Sequence, residues 1–180
     1  MKSVIIAFIL FVTSISAREA RYRIEPFALF STNNTISESS ELWEISSTGG
    51  VGLRLPVVNV PLNFSFSIEL GNVTGADTLP EFVTFLTSIL VEYEQLFHPH
   101  FRLIAGGGIT NMLITADDDW NITKPFAGES ENEFGLALTL EPTLVIRKFT
   151  LALRSLFREI FSAPHSVALL SLSGIMGWRF

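Results

Sequence analysis

The sequence contains no cysteine, so the fold owes nothing to disulfides or thiolate metal sites, although the chain opens on an export pattern. Charge is sparse at 17% of residues. After the first residues there is no apolar run long enough for a membrane-spanning helix, which needs about 20 residues. The formal net charge of −6 removes the electrostatic basis for nucleic acid as a partner. What is present in abundance is apolar: 48% hydrophobic residues, 16 of them Phe. Such a chain either buries a large core or turns apolar surface toward lipid as strands.

Lys2 precedes an apolar stretch from Val4 to Val12, and small residues follow at Ser14, Ser16 and Ala17. That layout is a secretory signal peptide over 1–17, leaving 18–180 as one mature domain of about 160 residues. Asn33, Asn63, Asn72 and Asn121 each begin an Asn-X-Ser/Thr triplet. In a chain rich in Ser and Thr, with Asn63 inside a strand pattern, these read as accidents of composition.

Period-two alternation organises the rest. Leu62, Phe64, Phe66, Ile68 and Leu70 alternate with Asn63, Ser65, Ser67, Glu69 and Gly71. The same pattern recurs around Trp43–Leu55, Phe85–Glu94, Phe101–Thr110, Phe134–Arg147, Phe149–Phe157 and Leu170–Phe180. A weaker first strand around Tyr22–Phe30 is interrupted by Pro26. Eight strands and no helix result. The expected links alternate long and short, with 31–41, 72–81, 116–132 and 159–166 long, and Pro56–Pro61, His98–His100 and Arg147–Lys148 short. An up-and-down barrel with both termini at one end predicts that order, whereas a Greek-key sandwich does not.

Alternation alone leaves open which face points outward, since a soluble lipocalin-like barrel has the reverse polarity. The wet parity is rich in Gly, Ser, Thr and Ala with hardly any Lys, which suits a cramped lumen better than a solvated exterior. The apolar parity carries Tyr22, Phe30, Trp43, Phe85, Tyr93, Phe101, Phe134, Phe149, Phe157, Trp178 and Phe180, read as aromatic girdles at the strand ends. The expected fold is therefore an all-β, eight-stranded antiparallel transmembrane barrel.

The chain ends Trp178-Arg179-Phe180, an aromatic carboxyl terminus on an alternating strand. In this ending and in pattern, over its whole mature length, the chain resembles the small bacterial outer-membrane barrels of the OmpX, OmpA-barrel and OmpW kind. The resemblance implies an integral outer-membrane location with both termini periplasmic, and a lipid environment. It also implies that the barrel-assembly machinery reads Trp178 and Phe180 as an assembly signal, although the family's usual interior Gly is displaced here to Gly174 or Gly177.

The wet parity also gathers charge: Arg23, Glu25, Glu44, Arg54, Glu69, Glu92, Glu94, Arg102, Glu141 and Arg154. Eight strands leave a bore only wide enough for side chains, so these groups are expected to pair inside it. Such a network is either a structural core or the gate of a narrow channel for small solutes. Signals for catalysis, metals and cofactors are thin. His98 and His100 fall in a short turn, and the Asp117–Asp119 run lacks the Gly and Glu of a calcium loop. His165 and Ser166 invite comparison with outer-membrane lipid deacylases, but adjacent strand residues point to opposite faces. No enzyme, cofactor or metal is expected. The expected function is display of the long links for envelope integrity or contact with an extracellular ligand, with the channel and a lipid-modifying enzyme as alternatives.

Overall fold

A computed structural model describes residues 24–36, 43–75, 82–116, 130–161 and 166–180, and for 43–46, 73–75, 82, 116 and 130 the backbone alone. Strands β1 (Glu25–Thr35), β2 (Trp43–Pro56), β3 (Leu62–Gly75), β4 (Phe82–His98), β5 (Phe101–Ala116), β6 (Ser130–Ile146), β7 (Phe149–Phe161) and β8 (Val167–Trp178) follow in order. Each pairs antiparallel with its neighbours, and β1 pairs with β8, closing an eight-stranded barrel. Closure leaves no strand edge and satisfies the backbone within the sheet.

The period-two pattern sets the faces. In β3, Asn63, Ser65, Ser67 and Glu69 are buried inside, while Phe64, Phe66, Ile68 and Leu70 remain 41–51% exposed outside. Pro26 falls at the second position of β1, where a missing N–H is tolerated. Two links are two residues long, Pro99–His100 and Arg147–Lys148; in the second, Arg147 adopts φ 58°, the positive φ that a two-residue hairpin turn favours.

The expected links differ from the observed ones in extent. β1 continues through Thr35, β3 through Gly75 and β7 through Phe161, and β6 already begins at Ser130. Segments 31–41, 72–81, 116–132 and 159–166 are thus partly strand. Ser31 and Asn33 are polar because they face the bore, where both are buried. The last of these links shrinks to 162–166, the same length as 57–61, but it still exceeds the neighbouring 147–148, so each expected long link remains longer than the short links beside it.

A second correction concerns β2. The β2–β3 register shifts between Ile45 and Thr48, a bulge that sets two residues against one. Parity cannot be carried across it, so assigning Glu44 to the lumen by alternation from Arg54 fails on backbone grounds. The side chains of Glu44 and Trp43 lie outside the described residues, as do Tyr22 and Arg23.

Inside, bulky side chains sit opposite glycines. Glu69 pairs with Gly50, Glu92 with Gly106 and Phe27 with Gly52. A β-carbon at Gly50 would lie 2.3 Å from the Ile68 carbonyl oxygen and 3.0 Å from Glu69 Cγ; one at Gly52 would lie 2.2 Å from the Phe27 ring. Interdigitation of large and small residues is how a narrow bore is filled without voids.

Candidate functional site

The bore holds two ion-paired groups. The larger lies toward the end bearing the termini and short links, because Glu25 opens β1, Arg54 nears the end of β2 and Arg102 begins β5. Arg54 binds three carboxylates: its Nε donates to Glu92 at 2.6 Å, Nη1 to Glu25 at 2.9 Å and Nη2 to Glu141 at 2.9 Å. Arg154 donates to Glu141 at 2.8 Å and to Glu92 at 3.3 Å. Arg102 bridges Glu25 at 2.6 Å and Glu94 at 3.0 Å. Thr143 and Thr150 donate to Glu141 and Glu25. Two guanidinium groups approach the Phe27 ring, Arg54 at 5.6 Å and Arg154 at 5.2 Å from its centroid, within cation–π range.

The smaller group is a closed cycle over five strands. Arg158 donates to Glu69 and, at 2.8 Å, to Ser171, which donates to Asn33 at 2.5 Å. Asn33 donates to Thr48, which donates back to Glu69 at 2.8 Å. Ser31 also donates to Glu69 and shares a 2.7 Å hydrogen bond with Ser173.

Of the charges expected inside, Glu25, Arg54, Glu69, Glu92, Arg102, Glu141 and Arg154 are all buried to 1% exposure or less. Glu94 is paired at the mouth, with 20% of its side chain exposed. Two arginines complete the set without having been anticipated. Arg158 follows Arg154 by four positions and so shares its face; Arg179 approaches Glu25 at 3.4 Å and Glu94 at 3.8 Å. Parity held the signal for both. The Ser, Thr and Asn members were hidden by their loop-like composition. Five acids, Glu25, Glu69, Glu92, Glu94 and Glu141, face five arginines, Arg54, Arg102, Arg154, Arg158 and Arg179, so these groups balance in charge.

Apolar side chains share the same bore. Leu86, Met112, Ile160 and Leu169 pack together at the long-link end, with Ile114 and Val167 against them. Leu90, Ala137 and Leu156 form a second cluster, and Phe27, Leu29 and Ile175 a third.

The exterior is the inverse of a soluble protein. Leu138 is 62% exposed, Phe134 61%, Val51 64%, Ile109 54% and Leu172 48%, and the outward parity of every strand contributes to this belt. A continuous apolar belt on a closed sheet is the surface of a membrane-spanning barrel. Phe85, Phe101, Phe149 and Phe180 are exposed on it, and Tyr93, Phe157 and Trp178 are half-buried. Phe30 stands mid-strand rather than at a strand end, since β1 runs on past it; it is flanked by Gly49 and Gly174. Trp178 packs edge-on against Phe149, with ring centroids 4.1 Å apart.

No protein-family profile matches the chain, and no curated protein matches it in sequence. Solved structures do. Neisserial surface protein A aligns over 88% of this chain and 97% of its own, at 11% identity and a TM-score of 0.65. This chain has the fold of the small outer-membrane barrels. Ail, the attachment invasion locus protein of Yersinia pestis, in complex with the heparin analogue sucrose octasulfate, aligns over 89% of this chain and all of its own, at 12% identity and a TM-score of 0.58. The N-terminal β-barrel domain of Pseudomonas aeruginosa OprF aligns over 89% of this chain and all of its own, at 10% identity and a TM-score of 0.55.

Proposed function

We propose that the protein is an integral outer-membrane barrel whose body is a closed, non-enzymatic scaffold, and that its long links are the functional surface. The observation that carries this reading is the filled bore: ion pairs and apolar clusters occupy it from one end to the other, and the paired charges cancel. A conduit for solutes needs a wetted path, and an enzyme needs a cleft with converging reactive groups. The fold favours an export leader over 1–17, a periplasmic position for both termini, and Trp178 and Phe180 as the signal for assembly.

The links carry Glu38, Glu41, Asp77, Glu81 and the Asp117–Asp119 run against Lys124. That sign repels a sulfated sugar of the kind that Ail holds, and suits a cationic partner or divalent-cation bridging to anionic headgroups. Single-channel recording of the refolded protein tests the scaffold reading. No discrete conductance is expected, and steady single-channel openings would establish the conduit instead. Release of fatty acid from outer-membrane lipid by the purified barrel would establish the enzyme.

A further inference from the structure

The two ends of the bore are closed by different chemistry. At the end bearing the termini, Glu94 and Arg179 keep 20% and 18% of their side chains exposed, so solvent touches the charge network there. Beyond them, Arg54, Arg102, Arg154, Glu92 and Glu141 have side chains at most 2% exposed. At the opposite end, Leu86 of β4, Met112 of β5, Ile160 of β7 and Leu169 of β8 form one cluster, none more than 3% exposed. β4 and β8 lie across the ring from one another, so this cluster crosses the bore rather than lining one wall; the Arg158–Glu69 group lies beside it, with Glu69 in register with Leu86 and Arg158 with Leu169.

We infer that the apolar layer of Leu86, Met112, Ile160 and Leu169 is the seal of the lumen, and that the larger Glu/Arg network around Arg54, Arg102 and Arg154 is packing beneath it rather than the gate. An apolar constriction excludes water and ions by dewetting, which needs no charge. The network is poorly suited to that role because its pairings are redundant. With Arg154 removed, Glu92 and Glu141 both retain Arg54. The apolar layer has no such redundancy. A hydroxyl placed in it gives water a partner, and the wetted path then reaches Ser88, one inward position below Leu86 on β4.

The inference rests on the scaffold reading, and the absence of cysteine permits a test that separates the two. Ser88→Cys in the refolded, detergent-solubilised barrel is treated with a small, membrane-impermeant thiol reagent, alone and combined with Ile160→Ser and Leu169→Ser. Labelling is expected to be slow in the single variant and faster by about tenfold or more when the seal carries both serines. Heat-shifted gel mobility checks that each variant is folded. If the double-serine barrel does not fold, Ile160→Ala replaces it, with the same acceleration expected in smaller degree. Unchanged labelling in a folded seal variant overturns the inference, and so does equal acceleration by Arg154→Ala with the apolar layer intact. Fast labelling of Ser88→Cys alone, together with conductance by the unmodified protein, overturns the scaffold reading itself.

Discussion

Arg102 Nη2 touches both carboxylate oxygens of Glu25 at 2.6 Å, joining residues 77 positions apart on β5 and β1, strands on opposite sides of the ring. The contact crosses the bore and exists only when the barrel is closed. It shows how the paired charges act as cross-braces: Arg102–Glu25, Arg54–Glu92, Arg54–Glu141, Arg154–Glu92 and Arg158–Glu69 each link strands that share no backbone hydrogen bond.

The braces are unequal, and this sets the first expectation. Among the described residues, Glu69 has Arg158 as its single guanidinium partner, whereas Glu25, Glu92, Glu94 and Glu141 each have at least two. Arg158→Ala therefore strands a buried carboxylate and is expected to cost about 3–5 kcal/mol, the range for breaking a buried pair. Arg154→Ala is expected to cost less. Urea midpoints of the refolded variants compare them, and equal losses would show that redundancy does not matter.

A dry network is insulated from salt. Exposed pairs are screened on a Debye length of about 10 Å at 0.1 M and about 3 Å at 1 M, but buried pairs are screened far less. The urea midpoint is expected to stay nearly constant between these salt concentrations. A steep fall with salt would mean that the bore is hydrated.

Gly50→Ala and Gly106→Ala are expected to destabilise the barrel by about 1–3 kcal/mol through overpacking. A β-carbon at Gly106 would stand 2.4 Å from the Val91 carbonyl oxygen and 3.0 Å from Glu92 Cγ, so either the strand or the carboxylate must move. Gly174→Ala, with nothing within 4 Å of its β-carbon, is the contrast and is expected to be tolerated. Unfolding of all three in parallel separates the cases.

Leu138 is 62% exposed in the outward belt. Leu138→Arg is expected to cost about 2–4 kcal/mol in a bilayer if the residue lies near the midplane. A loss near zero in lipid vesicles would place Leu138 at an interface or in water.

Phe180 is 70% exposed, and its backbone N–H donates to the Ile24 carbonyl at 3.1 Å. Its deletion is expected to cost the refolded barrel less than the roughly 1.5–3 kcal/mol of full aromatic burial, yet to reduce strongly the amount assembled in cells. Equal outer-membrane levels of the truncated and intact chains would remove Trp178 and Phe180 as an assembly signal.

Strand number, ring order and the inward set from Glu25 to Arg154 were legible in the sequence, because alternation is a local property with period two and a closed barrel turns one parity inward on every strand. Where locality broke, so did the reading. The bulge between Ile45 and Thr48 cut the alternation that would have placed Glu44, and Ser31 and Asn33 passed for loop because lumenal and solvated polar residues look alike in sequence. Arg158 was on the right parity from the outset.

What only the tertiary structure decided is which inward residue meets which. Arg54 reaching Glu141 on β6, or Leu86 meeting Leu169 across the bore, depends on strand tilt, register and closure, which bring together side chains far apart in the chain. Parity says that a residue points inward. It says nothing of the height at which it arrives, or of which side chain from across the ring meets it there.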